Sequence, residues 1–255
     1  MHLPKRSTLL ALSLFMSLGL SSEALAEEWV EAPFPGFDAT HRTPYMVLKR
    51  IVSNDKDAWL LQGNGQTWKW TGTSWVKTGP CCVADISLGA DGTLWALSTD
   101  THQLMKWDAA NSRWLKTFPT RAMKQIAAVN ATTVYGIGAS DSAVYSLTGS
   151  SWTKHSCCFT KLAAGAQGEL WAINATYGIL RWNGSQWSQV PGAFVEVSVS
   201  DPAHIAARDP NGNAYLFTGS DWHSLQAPAP LKGIARSNTR VWGISNDNRV
   251  FISDI

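Results

Sequence analysis

Short polar side chains gathered in a few turns are the residues of this chain best suited to chemistry. Asp100-Thr101-His102-Gln103, Ser140-Asp141-Ser142, Asn174-Ala175-Thr176-Tyr177, Asp209-Pro210-Asn211 and Asn246-Asp247-Asn248 combine carboxylates, amides and hydroxyls with an occasional ring. Such groups suit a hydroxyl-rich ligand. Planar acceptors and donors read hydroxyls, and an aromatic face covers the apolar side of a sugar ring. Asp100, His102, Asp141, Asn174, Tyr177 and Asp247 are therefore the candidate carbohydrate-binding residues. Asp, Asn and Ser also form ordinary turns, and that alternative stays open for every loop.

Catalytic groups are poorly supplied. The six histidines (His2, His41, His102, His155, His204, His223) include no metal-spaced pair, and no Gly-x-Ser-x-Gly elbow occurs. Asp209-x-Asn211-x-Asn213 opens like a calcium loop, but Ala214 stands where such a loop requires glycine. No cofactor or metal is expected, and a non-enzymatic role is expected. A hydrolase or lyase site assembled from distant residues remains the alternative.

The elements that position these loops repeat. Trp75, Trp114, Trp152, Trp187 and Trp222 each open a short run (WVKT, WLKT, WTKH, WSQV, WHSL) at spacings of 39, 38, 35 and 35 residues. A second run is centred on Trp95, Tyr135, Trp171, Ile205 and Trp242, and a third on Trp107, Tyr145, Trp182, Phe217 and Phe251. An earlier unit has Trp29, Trp59 and Trp70 in these slots, with an insertion at Phe34–Tyr45 whose His41, Arg42 and Tyr45 can cap the central channel or contact a partner; a disordered or merely closing loop is the alternative. Thirteen of the 14 Trp fall in a slot, which assigns them to packing; Trp68 alone is left over, an extra aromatic for exposure or packing.

Short alternating runs parted by Gly-containing turns read as β-strands. A fourth strand fits Val47–Val52, Val83–Ser87, Met123–Ala127, Phe159–Ala163, Val195–Ser198 and Leu231–Ala235. Four strands per unit, six times over, give an all-β, six-bladed β-propeller. The last unit lacks its outer strand, whereas Glu28-Trp29-Val30-Glu31 supplies one, so the N-terminal strand is expected to close the ring. In this topology the loops between second and third strands share one face with the links between blades. The Gly-rich hairpins gather on the opposite face.

Cys81-Cys82 and Cys157-Cys158 precede the second and fourth inner strands. A disulfide tolerates only about 4.4–6.8 Å between Cα atoms, which disfavours bridging non-neighbouring blades. A vicinal bridge within each pair is expected, and its sulfurs can form a small apolar platform. Adjacent cysteines fit zinc poorly, because ligand pairs there are usually separated by about two to four residues.

Residues 1–26 read as a secretion signal, with Lys5 and Arg6, the apolar run Leu9–Leu20 and the small-x-small site Ala24-Leu25-Ala26. The run is shorter than the ~20 residues of a membrane span. Residues 27–255 are then one exported, disulfide-permissive domain, extracellular or periplasmic. A formal charge of +2 argues against nucleic acid.

Trp187-Ser188-Gln189-Val190-Pro191-Gly192-Ala193, followed by Val195-Glu196-Val197-Ser198-Val199, resembles the opening of a tectonin repeat. Val241-Trp242-Gly243-Ile244 with Arg249-Val250-Phe251 resembles its second half. The resemblance implies a six-bladed lectin that recognises bacterial surface glycans or modified sugars. The expected partners are glycans or cell-surface polysaccharide, with no nucleic acid and no membrane span. A protein partner on the same face is the alternative.

Overall fold

The computed structural model describes residues 28–35, 47–116 and 118–255. Residues 1–26, where a signal is expected, lie outside the described residues, as do His41, Arg42 and Tyr45 of the insertion. Every regular element in the described residues is a strand. After β1 (Trp29–Glu31), blade one holds β2 (Leu48–Ser53), β3 (Ala58–Gln62), β4 (Thr67–Trp70) and β5 (Trp75–Thr78). Blade two holds β6 (Val83–Leu88), β7 (Leu94–Ser98), β8 (Leu104–Asp108) and β9 (Arg113–Leu115). Blade three holds β10 (Met123–Ala128), β11 (Val134–Gly138), β12 (Val144–Thr148) and β13 (Ser151–Lys154). Blade four holds β14 (Phe159–Ala164), β15 (Leu170–Asn174), β16 (Gly178–Trp182) and β17 (Trp187–Ala193). Blade five holds β18 (Glu196–Asp201), β19 (His204–Arg208), β20 (Ala214–Phe217) and β21 (Trp222–Leu225). Blade six holds β22 (Leu231–Arg236), β23 (Arg240–Ser245) and β24 (Val250–Asp254). Its outer strand is β1, paired antiparallel with β24 (Trp29 opposite Ser253, Glu31 opposite Phe251), so the two ends of the propeller close the ring.

The tryptophans fill the seams between blades. Trp171 of blade four meets Phe217 and Trp222 of blade five at 5.2 and 6.3 Å between ring centroids. Trp242 of blade six meets Trp70 and Trp75 of blade one at 5.8 and 5.7 Å. Truncating a buried Trp to Ala typically costs about 3–5 kcal/mol, so a few such seams outweigh any surface interaction. The opening Trp also uses its polar atom. The indole N–H groups of Trp75, Trp114 and Trp152 donate to the carbonyls of Ala32, Pro80 and Pro119 in the link behind the preceding blade's outer strand, and that of Trp222 donates to Pro191 near the end of β17. Over the second-slot rings Trp59, Trp95 and Trp171 stand Lys69, Lys106 and Arg181, each 5.4–5.7 Å away.

Strand register corrects three slot assignments. Ala206, not Ile205, lies opposite Ser198 where the other blades place their second-slot residue opposite the inner strand (Trp171 opposite Ala163, Trp242 opposite Ala235). In the third slot, Trp152 faces Leu147 and Trp29 faces Ser253, so Tyr145 and Phe251 each sit two residues earlier. Aromatic identity misled the alignment because a two-residue shift preserves the face of a strand. The same shift explains Trp68: it occupies the row of Tyr145 and Phe251. There it packs edge-on against Phe34 at 4.8 Å and donates its N–H to Gln62 Oε1.

An inner strand exposes one unpaired edge to the channel, and buried backbone groups require partners. Side chains of the preceding blade supply several. Asp85 accepts from Ile126 N at 2.9 Å, Ser87 from Ala128 N at 2.8 Å and Ser198 from Arg236 N at 2.9 Å. The Gln125 amide pairs with both the N–H and the carbonyl of Leu162.

Deleting Glu28–Ala32 removes the outer strand of blade six and the Trp75 acceptor. The melting temperature is expected to fall by on the order of 10 °C, and an unchanged value in differential scanning calorimetry would contradict closure by this strand.

Candidate ligand-binding face

The turns between second and third strands are built on one repeated device. Gly65, His102, Ser142, Tyr177, Gly212 and Asn248 all have positive φ, between 54° and 89°. In the first five blades this residue's carbonyl accepts the backbone N–H that starts or precedes the next inner strand (Val83, Met123, Phe159, Phe194, Leu231), at 2.9–3.1 Å. In blade six the Asn248 side chain substitutes, taking Leu48 N at 2.8 Å. A left-handed residue is costly for most side chains, so each turn adopts it to serve the neighbouring blade. His102 and Tyr177 therefore hold structural positions through their backbones, and the Tyr177 ring stays exposed.

The six sequence-selected residues share this face but belong to different blades: Asp100 and His102 to blade two, Asp141 to blade three, Asn174 and Tyr177 to blade four, and Asp247 to blade six. No hydrogen bond or ion pair links residues from different blades in this set. Two of them are consumed locally. Asp141 Oδ2 takes the Tyr145 hydroxyl at 2.6 Å and Lys154 Nζ at 3.0 Å, and Oδ1 takes Ala143 N. Arg121 stacks 3.6 Å over the Tyr145 ring and approaches Asp141 at 3.7 Å. The Tyr145 hydroxyl, the Ala143 amide and Lys154 hold the Asp141 carboxyl well below the usual carboxylate range. Asp247 accepts from Ser245 Oγ and from Arg249 Nε. Partial burial opposes its ionisation, but these bonds outweigh it and its carboxyl also titrates low.

The other four keep free polar atoms. Asn174 Oδ1 gathers Thr176 N, Thr176 Oγ1 and Gly178 N at 2.9–3.0 Å, which leaves its NH2 group to donate. Tyr177 is 50% exposed, one of the few large rings the fold leaves open. His102 Nδ1 lies 3.2 Å from Met123 O; a carbonyl can only accept, so Nδ1 donates, and Nε2 is the ring nitrogen left to a ligand. Asp100 binds its own turn through Thr101 and lies 4.0 Å from Lys116. Hydrogen bonds from the Ser98 hydroxyl and the Thr101 amide bring its carboxyl down to about 2.

Cys81 Sγ lies against Cys82 Sγ, and Cys157 Sγ against Cys158 Sγ, with no single cysteine left among the described residues. All four are exposed on this face, with blade three between the pairs. Asp209 lies in the turn between β19 and β20. It ties its own turn together through Asn211 N, Asn213 N and Asn213 Nδ2. No group of three or more potential metal ligands occurs among the described residues.

Sequence reading passed over the lysines of this face. Lys49, Lys124 and Lys232 each hold the second position of an inner strand, at its bulge. Lys124 reaches Ser142 Oγ at 2.7 Å, and Lys232 bonds Asn248 Oδ1. The signal was present, a Lys one residue into three of six inner strands, but it emerges only once the strands are aligned.

The family model of the tectonin domain matches residues 122–254, just over half of the chain. The chain belongs to the tectonin family. No curated protein matches this tectonin chain. Virginiamycin B lyase from Staphylococcus aureus is similar in structure at 10% identity and a TM-score of 0.58, over 84% of this chain and 83% of that one. Ycf48 from Cyanidioschyzon merolae superposes at 14% identity and a TM-score of 0.54, over 89% and 98%. The Cps50 (Swd1) propeller domain of Myceliophteria thermophila gives 10% and 0.60, over 85% and 98%. At such identities the propeller fold is what is shared.

Two measurements check this face of the tectonin propeller. A vicinal bridge in each pair predicts no free thiols in the unfolded, unreduced protein and four after reduction; four before reduction would eliminate the bridges. The depressed acids predict that Asp100 stays ionised until the pH falls to about 2 and that Asp141 titrates below the ordinary ~3.9. Their folded-state values lie below the unfolded ones. Their contribution to stability is therefore complete above about pH 4 and is lost as the pH falls through the folded values. Carboxyl NMR should show the Asp141 midpoint rising in Lys154→Ala while that of Asp100 stays put; an ordinary Asp141 midpoint in the native chain would refute the cluster.

Proposed function

We propose that this protein is an exported, non-enzymatic lectin that takes surface glycans on the face formed by the second-to-third-strand turns. One observation carries the reading most directly: Tyr177, half exposed, stands on a turn whose backbone is locked to the next blade, three residues from the uncommitted amide of Asn174. An exposed ring beside a fixed donor is the arrangement that stacks on a pyranose while orienting its hydroxyls. Asp100 and His102 offer free polar atoms on blade two, so two separated contact points serve a polymeric glycan. Avidity then replaces the affinity that a shallow site lacks. Lys49, Lys124 and Lys232 favour glycans bearing carboxylate or phosphate. Family membership supports the reading, and the two cysteine pairs supply small apolar platforms on the same surface.

A glycan array run with and without calcium tests it, using the native chain and Tyr177→Asn. Asn tolerates positive φ, so this variant removes the ring without disturbing the turn. Its signal is expected to drop about tenfold, the equivalent of ~1.4 kcal/mol, with an unchanged melting temperature. A flat array in both conditions, alongside a stable protein pull-down through this face, would replace the lectin with a protein-binding scaffold.

A further inference from the structure

The inner strands end on the opposite face in residues of unequal size: Ser53, Leu88, Ala128 and Ala164 end blades one to four. The small ones leave a bowl of about 270 Å³ at this mouth of the channel. Its wall is divided. Blades two to four contribute Leu88, Ala90, Ala128, Ala164 and Ala166, an arc that is apolar apart from Gln167. Blades one, five and six contribute Ser53, Asp55, Lys56, Asp201 and Asn238, a polar arc interrupted by Val199.

The polar arc is rigid and only half used. Asp55 Oδ1 accepts Asn238 N at 2.8 Å, and Asn238 Oδ1 accepts the Ser200 hydroxyl at 2.6 Å. Asp201 Oδ1 takes Ala203 N, His204 N and His204 Nδ1 at 2.8–3.0 Å. Behind them Arg236, 5% exposed, donates to the carbonyls of Asn238 and Arg240 and fixes the turn that carries Asn238. Asp55 Oδ2, Asp201 Oδ2 and Asn238 Nδ2 are left without partners among the described residues. Ser53 Oγ is buried and unpartnered. A buried hydroxyl without a partner is costly unless something bonds it, and the two carboxylate oxygens stand open to solvent or a ligand.

We propose that this bowl is a second binding site, on the face opposite the second-to-third-strand turns, for one neutral hydroxylated ring such as a terminal monosaccharide. The identification of the ligand as a sugar rests on the lectin reading; the site itself does not. The volume decides the size. It falls just under the ~300–1,000 Å³ of ordinary small-molecule sites and holds about nine waters at ~30 Å³ each, so a single ring fits and an oligosaccharide does not. The division of the wall decides the chemistry. The alanine arc lies along the less polar side of the ring, while Asp55 and Asp201 accept from adjacent hydroxyls and the Asn238 amide donates. Charge decides neutrality: Lys56 and Arg236 balance Asp55 and Asp201, so no net field selects an ion.

Methyl NMR on protein with labelled alanines tests the site by location. The titrants are methyl glucoside, methyl mannoside and N-acetylglucosamine, up to tens of millimolar. One of them is expected to shift the methyls of Ala128, Ala164 and Ala166 saturably, with Kd on the order of 1 mM. Ala166→Trp blocks the exposed rim, and Asp55→Asn keeps the acceptor for Asn238 N while turning the unpartnered oxygen into a donor; neither enters the core. Each should abolish these shifts with the melting temperature retained, whereas Tyr177→Asn should leave them intact. Shifts confined to alanines of the other face, such as Ala139 and Ala193, would overturn the bowl and leave the lectin reading standing. No shift at these methyls with any titrant also overturns it, and the glycan array then judges the lectin reading separately.

Discussion

The seam between adjacent blades is the interaction on which the rest of this molecule depends. A four-stranded blade has two apolar faces and an inner edge of unpaired backbone groups, and only its neighbours can cover them. The seam does this at three depths. Near the channel, side chains such as Asp85 and Gln125 satisfy the next inner strand. In the middle, rings such as Trp171 and Trp242 pack onto the aromatics of the following blade. At the outside, the opening indoles bond the preceding links. Because each blade relies on both neighbours, the ring is stable only when closed, which gives a three-residue strand at the start of the domain its importance.

The seam also decides what the binding face looks like. The positive-φ residue in each second-to-third-strand turn is held by the N–H of the next blade, so the turns are fixed to the ring. Preorganised loops lose little entropy on binding, and that suits weak, repeated contacts with a polymer. Selected residues such as Asp141 and Asp247 proved to be bracing for their own turns, whereas Asn174 and Tyr177 combine a braced backbone with idle side-chain atoms. The bowl on the other mouth arises differently, from small residues that fail to fill the channel.

Much of this was legible in the chain. The Trp spacings gave the blade count, the strand order and the missing outer strand, because a residue that packs every seam must recur at the period of the blade. The placing of Asp100, His102, Asn174 and Tyr177 on one face followed from strand direction alone. Misreadings came where chemistry repeated without register. Tyr145, Phe251 and Ile205 looked like members of their slots, yet strand pairing shifted the first two by two residues and the third by one. Trp68 looked surplus for the same reason.

By itself, the sequence determined architecture, since periodic aromatic spacing and turn chemistry are local properties that the seams merely multiply. Only the tertiary structure decided which polar atoms are free. Whether Asp141 is a ligand acceptor or a clamp depends on Tyr145, Arg121 and Lys154 arriving from three different segments. Whether a bowl exists depends on six strand ends meeting around an axis. Hydrogen bonding is satisfied pairwise in space, and no spacing along the chain reveals which pairs will form.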